Sequence, residues 1–370
     1  MESKRIFLAV TNDLITDNRI HKVASTLLKA KAEVTLIGRV KKIRNQALNR
    51  SYKTRRFYLL FKKGPLFYLE YNIRLLIFLL FNKFDIVVAN DLDTLLASYL
   101  ASKIKRKAIV YDSHEYFTEV PELVNRNFPK KVWLFIEKRI LPQIKYSYTV
   151  SESIAEVYHD LYRINMQVVR NVPYRSSLKN DTKLQSNNTI LYQGALNKGR
   201  GLEQVIDAMQ FLDNKQLIIV GSGDIEKQLK ERVRKKNLQN KVEFKGRICI
   251  ADLAKETIKA DLGIALEENI GLSYYYSLPN KLFDYIQALV PVLVSPFPEM
   301  QKIVRMYDIG TICEHKTPKE LAKKINEIFE NKNVYKKWKS NTILAAKELS
   351  WENEEQKLIC IYNKLGLKFE

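Results

Sequence analysis

Twice along this chain, short continuous apolar runs alternate with amphipathic helical patterns, and that alternation leaves few possible architectures. KRIFLAV, AEVTLIG, FDIVVAN, KAIVYDS, YSYTVS and MQVVRN read as strands in the first half. Helices are expected between them at 18–30, 66–81, 91–102, 129–145 and 153–161. NTILYQG, KQLIIVG, KVEFKG, DLGIALE, PVLVSP and TICEH repeat the pattern in the second half. The tail reads as helix over 318–331 and again over 334–365. Strands that are apolar along their whole length belong to parallel sheets covered by helices on both faces. Between the two series lies PYRSSLKNDTKLQSNN, polar and short of apolar residues, which reads as a linker. The expected plan is an α/β chain of two doubly wound domains facing across a cleft.

The totals narrow the class of partner. The 370 residues are 46% hydrophobic, enough for two cores, and carry 62 Lys and Arg against 41 Asp and Glu, a net charge of +21. Such a field favours anionic partners. The excess is concentrated: 39–63 holds ten basic residues and no acid, and the apolar run 66–81 follows. That run is interrupted by Glu70, Asn72 and Arg74, and it is shorter than the about 20 apolar residues a bilayer span needs. A basic segment beside an apolar helix suits docking on an anionic membrane face through 39–81; a core helix of the first domain is the competing reading. Cys249, Cys313 and Cys360 lie far apart, which argues against a disulfide framework or a zinc site. No leader-like run opens the chain, so a cytoplasmic protein, peripheral on the inner membrane face, is expected.

Ligands of open parallel sheets bind beyond the carboxyl ends of strands, so the loops there are the places to search. In the second half the stretch SLPNKLFDYIQALVPVLVSPFP places Asn280 and Lys281 at a helix start, behind Pro279, with Asp284 one turn on. A helix N-terminus draws anions, and a nearby acid suits ribose hydroxyls. Leu282, Phe283, Ile286 and Leu289 give that helix an apolar face. After NTILYQG, Gly194, Gly199 and Gly201 bracket Lys198 and Arg200, a phosphate-like setting. Gly221 and Gly223 form a turn whose Asp224 reads as a helix cap. In the first half, His114 and Glu115 follow KAIVYDS, and Asp91 and Asp93 follow FDIVVAN. Asp91 and Asp93 imitate a metal-binding DxD, but a helix begins at once and capping accounts for at least one of them; no metal is expected. Thr11, Asn12, Asp17 and Arg19 follow the first strand. No GxSxG, HExxH or Walker loop occurs. Tyr52, Phe57 and Tyr58 interleave the basic stretch, yet no nucleic-acid recognition motif accompanies them.

Taken together these segments resemble the retaining glycosyltransferases of family 4, which have the GT-B fold. The likeness runs through TNDLITDNRIHK, VYDSHEYFTEVPEL, LYQGALNKGRGLEQVIDAM, IIVGSGD and SLPNKLFDYIQALVPVLVS, almost the whole length. It implies an acceptor-binding domain at 1–172, a linker at 173–188, a nucleotide-sugar-binding domain at 189–350, and a last helix, 351–370, returning to the first domain. It implies a UDP- or GDP-sugar as co-substrate, no other cofactor, no obligatory metal, and a glycan or lipid-linked acceptor in bacterial surface polysaccharide synthesis.

By position, Arg200 matches the family's pyrophosphate-binding base, and His114 the histidine that contacts the donor sugar. Asp284 matches the second acid of the family's ribose-binding pair. Ala195 stands where the family often has Arg, with Lys281 or Lys198 as candidate substitutes. Tyr276 stands where the first acid belongs, and Glu267 or Glu268 are candidates to replace it. The donor set so implied is Gly194, Lys198, Arg200, Gly221, Ser277, Asn280, Lys281 and Asp284. His114 and Glu268 are the catalytic candidates, and Asn12, Asp17, Arg19, Asp91 and Glu115 lie on the acceptor side. The missing acid and Ala195 also fit a GT-B-like scaffold that has lost activity.

Overall fold

A computed structural model describes residues 3–15, 17–41, 50–176, 188–314 and 317–369, with backbone only at 250 and 251. Two compact units divide the chain: Met1–Asn171 with Glu354–Glu370, and Val172–Asn353. Most of the linker read at 173–188 lies outside the described residues, as do residues 42–49.

The first unit holds a seven-stranded sheet: β1 (Arg5–Asp13), β2 (Glu33–Arg39), β3 (Lys53–Phe57), β4 (Ile86–Asn90), β5 (Ala108–Ser113), β6 (Tyr146–Thr149) and β7 (Gln167–Val168). Its order is β3-β2-β1-β4-β5-β6-β7, and its pairings are parallel. The second unit holds β8 (Thr189–Gln193), β9 (Gln216–Val220), β10 (Val242–Gly246), β11 (Leu262–Ala265), β12 (Val292–Val294) and β13 (Gly310–Ile312). Their order is β10-β9-β8-β11-β12-β13, again parallel. Central strands β4 and β8 are buried at every position, as strands covered on both faces must be. In both sheets the order reverses beside the first strand, between β1 and β4 and between β8 and β11. Loops leaving the two sides of such a reversal diverge and open a crevice.

One strand was not anticipated and three local expectations are corrected. Within the basic stretch KTRRF forms β3, a charged edge strand that resists edge-to-edge pairing. MQVVRN pairs over Gln167–Val168 alone. The helix read over 129–145 is Asn127–Ile140 followed by a 3-10 turn at Leu141–Gln143, because Pro142 cannot donate the next bond. The long terminal helix is two, Lys332–Glu348 and Trp351–Asn363. At the break the Gln287 amide donates to the carbonyls of Ala346 and Leu349, and the Trp351 N–H bonds Pro173 O. From Glu354 onward the chain packs with the first unit. Glu355 accepts from Thr26 and Lys29 at 2.7 Å each, and Glu354 from the Arg170 N–H at 2.9 Å.

Candidate functional site

In the second unit the reversal between β8 and β11 gathers charged groups. Backbone approach there depends on glycine. A Cβ on Gly221 (φ 142°) would lie 1.8 Å from Gly194 O, and one on Gly201 (φ 68°) 2.0 Å from Leu266 O. The loops after β8, β9 and β11 therefore touch main chain to main chain. Glu267, just past β11, is fully buried and receives two cations on one oxygen. Lys281 Nζ lies 2.9 Å from Glu267 Oε1 and Arg200 Nη1 3.5 Å from it. Lys281 also stands 4.1 Å from the centre of the Tyr192 ring, and the Arg200 guanidinium 4.5 Å from that of Tyr274. Two cations, one carboxylate and the N-terminus of the helix Asn280–Gln287 leave a net positive site. Arg200 Nε and Glu267 Oε2 are buried without a hydrogen-bond partner among the described residues. Buried polar atoms are rarely left so unless something polar joins them.

Asp284 accepts from Gln193 Nε2 at 2.9 Å, and Gln193 Oε1 accepts from Thr257 at 2.8 Å. Tyr285 accepts from the Gln193 N–H with its buried hydroxyl. Leu289, expected on the helix's apolar face, instead lies past its end at φ 59°, and Tyr285 takes the inward position. Ser277 donates to Tyr274 O at 2.7 Å in the turn before the helix, and Asn280 is exposed at its first position. Lys198 is exposed, while the backbone of Glu268 is fixed on Gly199 O at 2.9 Å. Burial, then the nearby Glu203, raises the Glu268 carboxyl. Asp224 caps nothing; the following helix starts at Glu226 with Ile225 in the capping position.

The first unit's reversal gathers a buried charge network. Arg19 is 4% exposed and places Nη2 2.7 Å from Asp112 Oδ1 and Nη1 3.0 Å from Val169 O. His114 spans two carboxylates, Nε2 3.1 Å from Asp112 and Nδ1 3.2 Å from Asp91. Burial opposes charge on His114, but Asp91 and Asp112 outweigh it and hold the imidazolium well above its ordinary range. Burial likewise opposes charge on Asp112, and Arg19 and His114 pull it down to about 2.

Both ring nitrogens of His114 are thus engaged, so the ring holds two acids in place and exchanges a proton only when one bond opens. Arg19 is closed on Asp112, so it positions this network rather than presenting a free guanidinium. Asp91 sits at the helix-capping position with φ 62°, yet its oxygens take the N–H and ring of His114, not helix amides. Asp93 accepts from Thr11 at 2.5 Å. Capping therefore explains neither acid. Asp17 does cap, accepting from Ile20 N at 3.2 Å, with Asn12 donating to it at 3.3 Å. Glu115 is exposed.

Burial, with Asp91 as like charge, raises Asp93 to about 7. A raised acid favours folding fully below its unfolded pKa and loses that contribution as pH rises through the folded value. Asp93→Asn is therefore expected to gain on the wild type from about pH 4 to about pH 7, by up to about 4 kcal/mol, and then to level off. Urea unfolding across that range checks it; a difference independent of pH would refute it.

Gln193, Tyr192 and Tyr274 were missed from sequence. Gln193 carried one signal, a polar residue closing an otherwise apolar strand.

Two parallel α/β units, each with charge gathered at its sheet reversal, define the GT-B architecture. The family description "Glycosyltransferase Family 4" matches residues 17–173 and "Glycosyl transferases group 1" matches 175–344. Among solved structures, sucrose-phosphate synthase of Thermosynechococcus elongatus superposes at TM-score 0.79 and 17% identity, over 98% of this chain and 99% of that one. An Anabaena protein, HepE, solved with UDP and glucose, does so at 0.76 and 16%, over 98% and 99%. WaaG, a glycosyltransferase involved in lipopolysaccharide biosynthesis, does so at 0.75 and 14%, over 96% and 99%. A curated relative, the chitobiosyldiphosphodolichol beta-mannosyltransferase of Candida albicans, is 27% identical over 155 residues, 40% of this chain but 32% of that relative's length. The chain belongs to the GT-B glycosyltransferases of the group 1 and family 4 type.

Proposed function

We propose that the chain is a retaining, metal-independent hexosyltransferase. It moves a sugar from a UDP- or GDP-sugar to a glycan or lipid-linked acceptor in bacterial surface polysaccharide synthesis. The observation that carries this reading is the pair Arg200 and Lys281 converging on buried Glu267 at a helix N-terminus. As the glycosidic bond breaks, negative charge grows on the leaving pyrophosphate. Two cations already oriented by a carboxylate and two aromatic rings stabilise that charge without reorganising, the largest single contribution in most enzymes. Asp284, oriented by Gln193, accepts from the ribose hydroxyls. The acceptor attacks from the leaving-group face and gives its proton to the departing phosphate oxygen. The surface-glycan assignment is supported by the named roles of fold relatives such as WaaG.

Thermal shift of the full chain against UDP, GDP, ADP and CMP tests the donor site. One nucleotide is expected to raise the melting temperature, and Arg200→Ala and Asp284→Ala to abolish the rise. No shift with any of them would favour the inactive scaffold. The anomeric configuration of the product, read by NMR, tests retention; the Candida relative is by name a β-mannosyltransferase, and an inverted product would refute the front-face route.

A further inference from the structure

The loop that carries His114 and Glu115 continues into a 3-10 turn, Phe117–Glu119. That turn is seated on the helix Asn127–Ile140. The Phe117 and Trp133 rings meet at 5.3 Å, and Lys130 pairs with Glu119 at 2.5 Å. Tyr116 packs on Tyr158 of the helix Glu152–Tyr162, with ring centres 5.8 Å apart. The helix Asn127–Ile140 itself lies beside Pro65–Phe81, where Trp133 meets Tyr68 at 5.2 Å, and beside Leu92–Lys105.

Beneath this seat lies a buried polar group that the donor site does not use. Glu137 Oε2, Thr118 Oγ1 and the hydroxyls of Tyr111 and Tyr158 have no hydrogen-bond partner among the described residues, and none of the four side chains has exposed surface. Glu137 Oε1 accepts from the Tyr162 hydroxyl at 2.8 Å. Buried polar atoms left so are uncommon, and four neighbours more so. A protonated carboxyl supplies the donor they need: its O–H can turn to Thr118 while Oε1 keeps Tyr162. An ionised one supplies no donor and buries a charge with no cation bonded to it. The titratable groups around Glu137 are Tyr111 on β5, Tyr158 and Tyr162, Glu119 in the turn, and Lys138 on its own helix. Burial pushes the Glu137 carboxyl up to about 7 and Glu119 adds to it, against Tyr162, Thr118 and Lys138.

We infer that Glu137 is a positioning residue for the loop 114–120: its protonated carboxyl ties the helix Asn127–Ile140 to Thr118, and its ionisation releases the loop toward water. The functional consequence rests on the reading that this loop lies on the acceptor side. The seated loop prefers the neutral acid. Its stability is complete below the ordinary glutamate range, falls as pH rises toward the folded value of about 7, and is constant above it. Acceptor affinity follows the loop, whereas Arg200, Lys281 and Asp284 belong to the second unit.

Hydrogen exchange of the full chain, corrected for intrinsic rates and followed on peptides covering 114–120, tests it. Protection in the wild type is expected to fall about tenfold per pH unit from about pH 5 to about pH 7 and then to level off. Glu137→Gln keeps an acceptor for Tyr162 and a donor for Thr118, so it should stay protected throughout. Tyr162→Phe removes a group that favours the ionised form, so its fall should level off at higher pH than in the wild type. Thr118→Val should be poorly protected even at about pH 5. Difference infrared spectroscopy below the folded value should show a protonated carboxyl that Glu137→Gln lacks. Circular dichroism confirms folded variants. These readouts need neither donor nor acceptor, so they stand or fall separately from the glycosyl-transfer reading, which the nucleotide thermal shift decides. The same fall in Glu137→Gln, a Tyr162→Phe curve that levels off with the wild type, full protection in Thr118→Val, or no protonated carboxyl would each overturn the proposal.

Discussion

Arg200→Ala is expected to lower turnover of the nucleotide sugar by about 10²- to 10³-fold, the usual loss when one preorganised donor to a developing anion is removed. Arg200 and Lys281 share Glu267 Oε1, so neither cation is positioned independently. Removing Arg200 leaves Lys281 neutralised by Glu267 and takes away the net positive charge that would meet a pyrophosphate. Arg200→Lys should recover little, because an ammonium cannot both reach Glu267 and lie flat over the Tyr274 ring. Glu267→Gln separates charge from position. It strengthens the local positive field but releases both cations, so nucleotide binding should survive while turnover falls. Steady-state kinetics beside calorimetry distinguish these effects. Unchanged turnover in Arg200→Ala would remove the pyrophosphate role altogether.

The second large effect is on stability. Arg19→Met is expected to cost about 3–5 kcal/mol, because it strands Asp112, which has no exposed surface, with only His114 as counter-charge. Asp112 is held near 2, so its contribution is present above the ordinary carboxylate range and lost as pH falls through about 2. Without Arg19 that loss begins at higher pH. His114 is raised, so its contribution is complete below its unfolded pKa and fades as pH rises through the folded one. The variant should therefore suffer from both sides. Arg19→Met with Asp112→Asn should regain part of the stability, since no full charge is left unpaired. Urea unfolding of both variants from acid to mildly alkaline pH measures this. A cost below about 1 kcal/mol would mean that water reaches Asp112.

Locally repeated patterns were readable from the residues alone. Continuous apolar runs such as IVVAN and TILYQ placed the central strands, because a strand buried on both faces has no polar position to alternate. The polar stretch between the two series marked where one core ends and another begins. Arg200, Lys281 and Asp284 were legible as charged residues beside glycines or a helix start, at the carboxyl ends of strands.

Which groups satisfy one another at long range emerges only in the folded chain. Glu267 meets Lys281 across 14 residues and Arg200 across 67, and Arg19 meets Asp112 across 93. Capping was the local reading for at least one of Asp91 and Asp93, but folding brought His114 to the first and Thr11 to the second. The terminal helix breaks at 349–350 without glycine or proline, because Gln287 and Pro173 take over the backbone groups the helix releases. The apolar helix at 65–81 reads the same whether one side or both are covered. Only the fold shows that its outer face, with those of its two neighbours, is exposed among the described residues, because helix periodicity records which residues are apolar and not what they meet.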